Sequence, residues 1–221
     1  MTDTTPTTLR EMIALPASTM AIIQSAINSP AGGSLLFHGP GGTGKSIFCR
    51  VIAMEAMRSS SLIVPDYRTA LGFSNLMVLD HVSGYEKPPL NKVREMALMH
   101  TLSDTDRRWL IVDEFDAISP KISNFVKPWL DELQIELSVQ VFASTNHLTE
   151  IDGNVRSRFT EIYLGPHPDP AMRDWARAEL KRLGLTKVSA ADLAQLVANA
   201  AGSVRALKRA CFLYAEHGRV I

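Results

Sequence analysis

A glycine-rich run of eight residues limits this chain to very few folds. The run fits the phosphate-loop pattern GxxxxGK[ST] at every fixed position. It consists of Gly39, Pro40, Gly41, Gly42, Thr43, Gly44, Lys45 and Ser46. The apolar segment before it, SLLFH at 34–38, predicts a buried strand, and the spacing of apolar residues at 45–58 predicts a helix. A loop between a strand and a helix is the setting in which this pattern binds phosphate.

The chemistry of phosphate binding explains the residue types in this run. Glycines let backbone N–H groups turn toward an anion at a helix N-terminus, where the helix dipole favours negative charge. Lys45 is expected to reach the β- and γ-phosphates, and the Ser46 hydroxyl is expected to bind Mg²⁺. The same run contains the dinucleotide fingerprint GxGxxG, which needs an acidic residue at the end of the next strand. Asp66 follows a proline and ends no clear strand, so the Lys45–Ser46 pair favours the phosphate loop.

A second chemical element follows an apolar strand predicted at 109–112. Asp113 and Glu114 come directly after it. A carboxylate at this edge of a sheet, beside a phosphate loop, can hold Mg²⁺ through its water shell. Glu114 is suited to orient or deprotonate an attacking water. We therefore expect nucleotide hydrolysis at this edge.

The rest of the chain alternates between strands and helices up to about residue 166. This alternation predicts an α/β fold with a parallel five-stranded sheet and helices on both faces. Further strands are predicted at 75–80, 138–143 and 160–165, and further helices at 17–28, 91–100 and 122–133. A proline-rich segment then leads into three helices, at about 171–183, after Ser189 and after Ser203. We predict an N-terminal arm (1–16), a nucleotide-binding α/β domain (17–166) and a small helical domain (167–221).

Charge is balanced over the chain but not along it. Lys and Arg number 23, as do Asp and Glu, so no overall field draws the chain to nucleic acid or to a membrane. Residues 153–221 hold 11 basic and 6 acidic residues, whereas residues 1–152 hold 12 and 17. This asymmetry fits two functional regions, a head-to-tail fit between copies, or simple scatter over a solvated surface.

Other residue types point away from several protein classes. The two cysteines lie far apart in predicted helices, which favours reduced, buried thiols. The six histidines show no metal-ligand spacing, so a zinc site is not expected. Ser144, His147 and Asp152 lie too close together in sequence to be assigned as a triad. With neither a secretory signal nor a membrane-length apolar run, we expect a cytoplasmic protein with no membrane contact.

On these motifs the chain resembles the AAA+ family of P-loop ATPases from about residue 17 to 217. Asn146, at the end of the fourth predicted strand, matches the sensor-1 position, which touches the γ-phosphate. Arg158 in the segment VRSRF matches the arginine finger that a neighbouring subunit supplies, and Arg156 is an alternative. Arg205 in the segment GSVR matches the sensor-2 arginine of the helical lid. The resemblance implies that ATP and Mg²⁺ bind between subunits of a homo-oligomer, with Glu114 as general base.

Within that family, the segments DEFD and VRSRF are most similar to clamp-loader subunits of bacteriophages and of replication factor C. The helical collar of clamp loaders has no counterpart in this sequence, and the loop has glycine where the family more often has a second proline. The resemblance therefore implies an ATP-driven motor or switch that acts on DNA, or on a protein of a replication or transposition complex, as clamp loaders and helicase loaders do. The alternative is a remodeller of a protein client without DNA contact. An ATP-binding switch that hardly hydrolyses is a third, less favoured interpretation.

Overall fold

A parallel sheet of five strands forms the centre of the computed structural model, which describes residues 6–29, 33–79, 91, 93–95, 107–117 and 123–220. The strands are β1 (Ser34–His38), β2 (Leu76–Leu79), β3 (Arg108–Val112), β4 (Val139–Thr145) and β5 (Phe159–Tyr163). Their order across the sheet is β2-β3-β4-β1-β5, and every neighbouring pair is parallel. All five strand predictions are confirmed to within two residues at the ends that the structure describes.

Eight α-helices are described. They are α1 (Ala17–Asn28), α2 (Lys45–Ser59), α3 (Tyr67–Ala70), α4 (Ser123–Asp131), α5 (Gly153–Arg156), α6 (Asp169–Arg182), α7 (Ala190–Ala200) and α8 (Val204–His217). Short 3₁₀ turns lie at Leu9–Glu11, Phe115–Ala117 and Leu148–Glu150, and a π-helix follows α4 at Glu132–Glu136. Within the described ranges, no helix is long and apolar enough to cross a bilayer.

The central strands are buried on both faces, as a parallel sheet covered by helices requires. All seven residues of β4 are buried. One face packs on α4, whose Val126, Trp129 and Leu130 join the same apolar cluster as Val141 and Leu110 of the sheet. The apolar spacing that predicts a helix over 122–133 therefore reflects a core-facing surface.

The chain forms two compact units. One comprises the residues up to Glu11, Leu15–His38 and Lys45–Tyr163; the other comprises Met12–Ala14, Gly39–Gly44 and the chain from Leu164 onward. The second unit contains α6, α7 and α8, which pack on one another through buried residues such as Leu180, Leu196 and Leu207. The arm at 1–16 and the domain boundary at residue 166 stay predictions.

The ends of these helices follow local sequence signals. Ser189 caps α7 by accepting the Asp192 N–H over 3.0 Å, which is one half of a capping box. Ser203 likewise caps α8, accepting the Ala206 N–H over 3.3 Å. Gly218 ends α8 with φ of 69°, the left-handed conformation that glycine tolerates best at this position.

Two local features add to the sequence predictions. Pro128 predicts either a kink in the helix over 122–133 or a late start of it; it lies inside α4, and the chain continues from that helix into the π-helix. Helix α3 follows an Asp66 cap in a segment where no helix is predicted. Most of the helix predicted at 91–100 lies outside the described residues.

Candidate functional site

The candidate site lies where β1, β3 and β4 reach the same edge of the sheet. The phosphate-loop pattern follows β1, Asp113 follows β3, and β4 ends at Thr145. Because β4 lies between β1 and β3, their carboxyl ends are neighbours. The crevice outside strand ends where the strand order reverses is the usual binding site of open α/β sheets.

One carboxylate oxygen at this edge accepts two hydroxyl groups. Ser46 Oγ, at the start of α2, donates to Asp113 Oδ1 over 2.7 Å. Ser144 Oγ on β4 donates to the same oxygen. The contact between Ser46 and Asp113 joins the two residues that the sequence predicts as Mg²⁺ ligands.

The donor set fits magnesium. Mg²⁺ is commonly held by one or two protein oxygens and keeps several waters. A hydroxyl and a carboxylate oxygen 2.7 Å apart supply such a pair. Among the described residues, no group of three or more His, Cys, Asp and Glu side chains gathers into a metal site, so a protein-only metal cage is absent from that part of the chain.

The backbone of Glu114 is strained. This residue has φ of 52°, in the left-handed region, where a residue with a side chain costs about 1–2 kcal/mol. Strained backbone of this kind is concentrated at functional sites. The strain therefore marks the residue that the sequence predicts as general base.

The end of β4 is held by a second pair of side chains. Thr145 Oγ1 donates to Asp116 Oδ1 over 2.5 Å and accepts the His147 N–H over 3.0 Å. Asn146, between these residues, is exposed directly after the strand. It therefore lies at the same sheet edge as Asp113, and its sensor-1 role stays a prediction.

The first part of the phosphate loop contacts the helical part of the chain through its carbonyl groups. The Arg205 N–H, in the first turn of α8, donates to the Gly42 carbonyl over 3.1 Å. His167 Nε2 lies 2.9 Å from the Thr43 carbonyl, and the His167 N–H donates to Gly202 over 3.1 Å. These contacts hold two consecutive carbonyls of the loop, those of Gly42 and Thr43.

Gly42 permits this contact because it has no side chain. Its φ is 85°, and a Cβ there would lie 2.4 Å from Ser203 Oγ. Any residue with a side chain at position 42 would therefore force the loop or Ser203 to move.

The side chain of Arg205 is exposed and lines an open cleft of about 420 Å³ together with Arg209 and Leu213. The contact of Arg205 with the phosphate loop is made by its backbone N–H and not by its guanidinium. The sensor-2 role of its guanidinium stays a prediction.

Both arginine-finger candidates are bound to carboxylates of their own chain. Arg158 contacts Asp131 through Nε and Nη2, at 2.9 and 3.0 Å. Arg156 contacts Glu161 in the same two-pronged way, at 2.8 and 3.1 Å. The Arg158 hydrogen bond lowers the pKa of Asp131, and the Arg156 hydrogen bond lowers the pKa of Glu161. Both pairs are therefore ionic at neutral pH.

His38, the last residue of β1, is neutral at neutral pH and adds no charge before the phosphate loop. The His38 ring packs against Tyr163, with centroids 5.4 Å apart. Burial is the main cause that lowers the pKa of His38, and the charge of Glu161 opposes it.

Sequence reasoning misses His167 and Asp131 and assigns no role to Ser144. Ser144 meets Asp113 because the parallel register aligns Val112 with Ala143 and so brings the next residues together, and this register is known only from the fold. The two acids of the weaker alternatives cap helices: Asp66 caps α3 and Asp152 caps α5.

Comparisons with known proteins agree with this geometry. The sequence profile described as "ATPase family associated with various cellular activities (AAA)" matches residues 35–166, more than half of the chain. Protein CdcH of Halobacterium salinarum is 28% identical over 180 residues, which is 75% of this chain. The chain spans only 22% of the length of that relative.

Solved structures share the fold at low sequence identity. The RuvB Holliday junction branch migration motor of Thermotoga maritima matches with a TM-score of 0.68 and 15% identity, over 98% of this chain and 69% of that one. In the match to a second RuvB structure from the same organism, this chain covers 63% of the RuvB chain. Domain III of the Thermotoga maritima replication initiation protein DnaA matches with a TM-score of 0.65 and 16% identity, over 97% of this chain and 91% of that one.

Proposed function

Because this chain belongs to the AAA family of ATPases, we propose that it hydrolyses ATP at the interfaces of a homo-oligomer and uses the energy to act on DNA or on a DNA-bound protein complex. The observation that carries the hydrolysis proposal is the hydrogen bond between Ser46 and Asp113 at the sheet edge. It joins the phosphate-loop hydroxyl to the carboxylate after β3, the two groups that hold the metal in such ATPases.

The residues of this chain then have separate tasks. The amides of Gly39–Gly44 and the ammonium of Lys45 bind the phosphates, and Ser46 and Asp113 hold Mg²⁺. Bound Mg²⁺ supplies positive charge at the β- and γ-phosphate oxygens. Glu114 orients water and accepts its proton, while Asn146 positions the same water. Ser144 keeps the Asp113 carboxylate in place by donating to its Oδ1.

In this proposal the neighbouring subunit completes the site. Arg158 is the candidate, because a guanidinium stabilises the charge that spreads over the transferred phosphoryl group. Arg156 is the second candidate. Arg205, at the start of α8, reports the nucleotide state to the helical part of the chain. Hydrolysis would thereby depend on assembly.

Two structural neighbours support a DNA-linked role for this chain. RuvB is a Holliday junction branch migration motor, and DnaA is a replication initiation protein. The basic residues concentrated in 153–221 add an electrostatic reason. The finer proposal is a loader of the clamp-loader or helicase-loader kind.

The first test is steady-state ATPase activity with and without DNA at low salt. Single-stranded, duplex, primer-template and four-way-junction DNA would be compared, with Lys45→Ala protein as the control for contaminating activity. We expect one form to stimulate turnover, and raised salt to remove the stimulation. Equal rates with every form would contradict DNA action and favour a protein client, to be sought by affinity capture with Glu114→Gln protein.

A further inference from the structure

The Arg158 guanidinium makes four hydrogen bonds within its own chain. Nε and Nη2 contact the two oxygens of Asp131, at 2.9 and 3.0 Å. Nη1 donates to the Asn154 carbonyl over 2.9 Å and to Ser157 Oγ over 2.7 Å. These four hydrogen bonds use four of the five N–H groups of an arginine.

A phosphoryl group and a carboxylate compete for the same edges of a guanidinium. Arginine binds either anion best through two parallel N–H···O bonds. Asp131 occupies the edge formed by Nε and Nη2, and Nη1 on the other edge is committed to Asn154 and Ser157. A phosphate therefore meets competition at both edges of Arg158, and it can take the edge formed by Nε and Nη2 only after Asp131 gives way.

The pair is placed where such an exchange can occur. The side chains of Arg158 and Asp131 are 23% and 36% exposed, so a ligand from outside can reach them. Asp131 is the last residue of α4, where the chain passes into the π-helix. Irregular π-helical turns are frequent at functional sites.

The residue after Asp131 holds another arginine. Glu132 accepts Arg94 Nε through both of its oxygens, at 2.7 and 2.8 Å. Two consecutive carboxylates thus bind two arginines from distant parts of the sequence. Asp131 is therefore one of two adjacent acidic residues that each bind an arginine.

We propose that Asp131 is a positioning residue that holds Arg158 within its own subunit and releases it only when the nucleotide of a neighbouring subunit competes for it. Asp131 then raises the subunit concentration at which assemblies with bound nucleotide become active. This inference rests on the proposed use of Arg158 by the neighbouring subunit. Asp131 would thus suppress activity, whereas an ion pair with only a structural role would not.

The test is Asp131→Asn, which keeps the side-chain shape and removes the charge. An exposed ion pair of this kind is weak, so we expect the subunit concentration for half-maximal ATPase activity to fall about two- to fivefold. The KM for ATP should fall as well, because the nucleotide of the neighbouring subunit no longer competes with Asp131 for Arg158. Glu161→Gln is the matched control, since it frees Arg156 from an equivalent pair, and we expect it to change neither quantity.

Arg158→Ala and the double variant Asp131→Asn with Arg158→Ala complete the set. We expect the two to be equally inactive, because without Arg158 there is nothing for Asp131 to hold. Thermal unfolding of each variant checks that the fold is retained, and Asp131→Ser replaces Asp131→Asn if that protein is unstable.

An unchanged or raised half-maximal concentration in Asp131→Asn would overturn the inference, as would the same gain in Glu161→Gln. Full activity in Arg158→Ala would instead remove Arg158 from the proposed function. A loss of activity in Arg158→Ala together with no effect of Asp131→Asn would remove only the role of Asp131.

Discussion

At the residue scale, Glu114 combines a backbone outlier with a position beside the proposed metal site. It follows Asp113 directly and has φ of 52°. Holding it there costs about 1–2 kcal/mol, which surrounding contacts must offset. The backbone of Glu114 is therefore set by the fold before any ligand arrives.

Glu114→Gln should bind ATP as the unaltered protein does and turn it over about 10²–10⁴-fold more slowly, the usual contribution of a general base. Equilibrium binding of ATP and steady-state phosphate release would separate the two effects. Glu150→Gln, an exposed acid in a nearby 3₁₀ turn, is the control. Turnover near that of the control would exclude Glu114 as the base.

Gly41 and Gly42 of the phosphate loop should differ sharply in how well they tolerate substitution by alanine. A Cβ on Gly42 would meet Ser203 Oγ at 2.4 Å and require the left-handed conformation, whereas a Cβ on Gly41 meets nothing within 4 Å. We expect Gly42→Ala to destabilise the fold by about 1–2 kcal/mol and Gly41→Ala to change it by less than about 0.5 kcal/mol. Denaturant unfolding measures both, and equal effects would contradict the contact with Ser203.

At the element scale, the connection between β5 and α6 carries a side chain that holds the phosphate loop. His167 is 7% exposed, and its Nε2 lies 2.9 Å from the Thr43 carbonyl. The first turn of α8 adds the contact between the Arg205 N–H and the Gly42 carbonyl. Elements distant in sequence thus fix two consecutive carbonyls of the loop.

His167→Ala should weaken ATP binding, because it removes the partner of a buried carbonyl at a cost of about 1–3 kcal/mol. His167→Gln should restore much of the affinity, since its amide N–H can reach the same carbonyl. His217→Ala, at the exposed end of α8, is the control. If alanine and glutamine at residue 167 bind ATP equally well, the hydrogen bond does not support the loop.

At the scale of the whole molecule, a site shared between subunits makes a specific prediction for mixtures. Lys45→Ala subunits keep Arg158, and Arg158→Ala subunits keep Lys45, so each supplies what the other lacks. In an equal mixture about one quarter of head-to-tail interfaces combine both intact residues, and ATPase activity should recover to a corresponding fraction. No recovery at any mixing ratio would contradict use of Arg158 by the neighbour.

Both thiols of the chain report on the integrity of the fold. Burial raises the pKa of Cys211 from 9.0 to about 12, helped by the charge of Glu179, and burial also raises the pKa of Cys49 well above its ordinary value. At about pH 8 both should stay protonated and unreactive toward a thiol reagent until the chain unfolds. Because these pKa values are higher in the folded state, their contribution to stability is complete below about pH 9 and is lost as the pH rises toward the folded values. Rapid labelling of native protein at about pH 8 would contradict this burial.

Features that depend on neighbouring residues can be predicted from the sequence. The phosphate-loop pattern, the order of strands and helices, the acids after β3 and the caps of α7 and α8 all arise from local spacing and turn chemistry, so they can be predicted without a fold. The extra helix α3 and the passage of α4 into a π-helix lack such a signal. Pro128 indicates a break in a helix but not which form follows it.

Tertiary structure alone decided which distant side chains meet. Ser144 contacts Asp113 across 31 positions, Arg158 contacts Asp131 across 27, and His167 contacts Thr43 across 124. These pairs depend on strand order and on the packing of helices, which bring together residues that no periodicity relates. The proposed chemical groups could therefore be named from sequence, whereas the contacts that hold them in position could not.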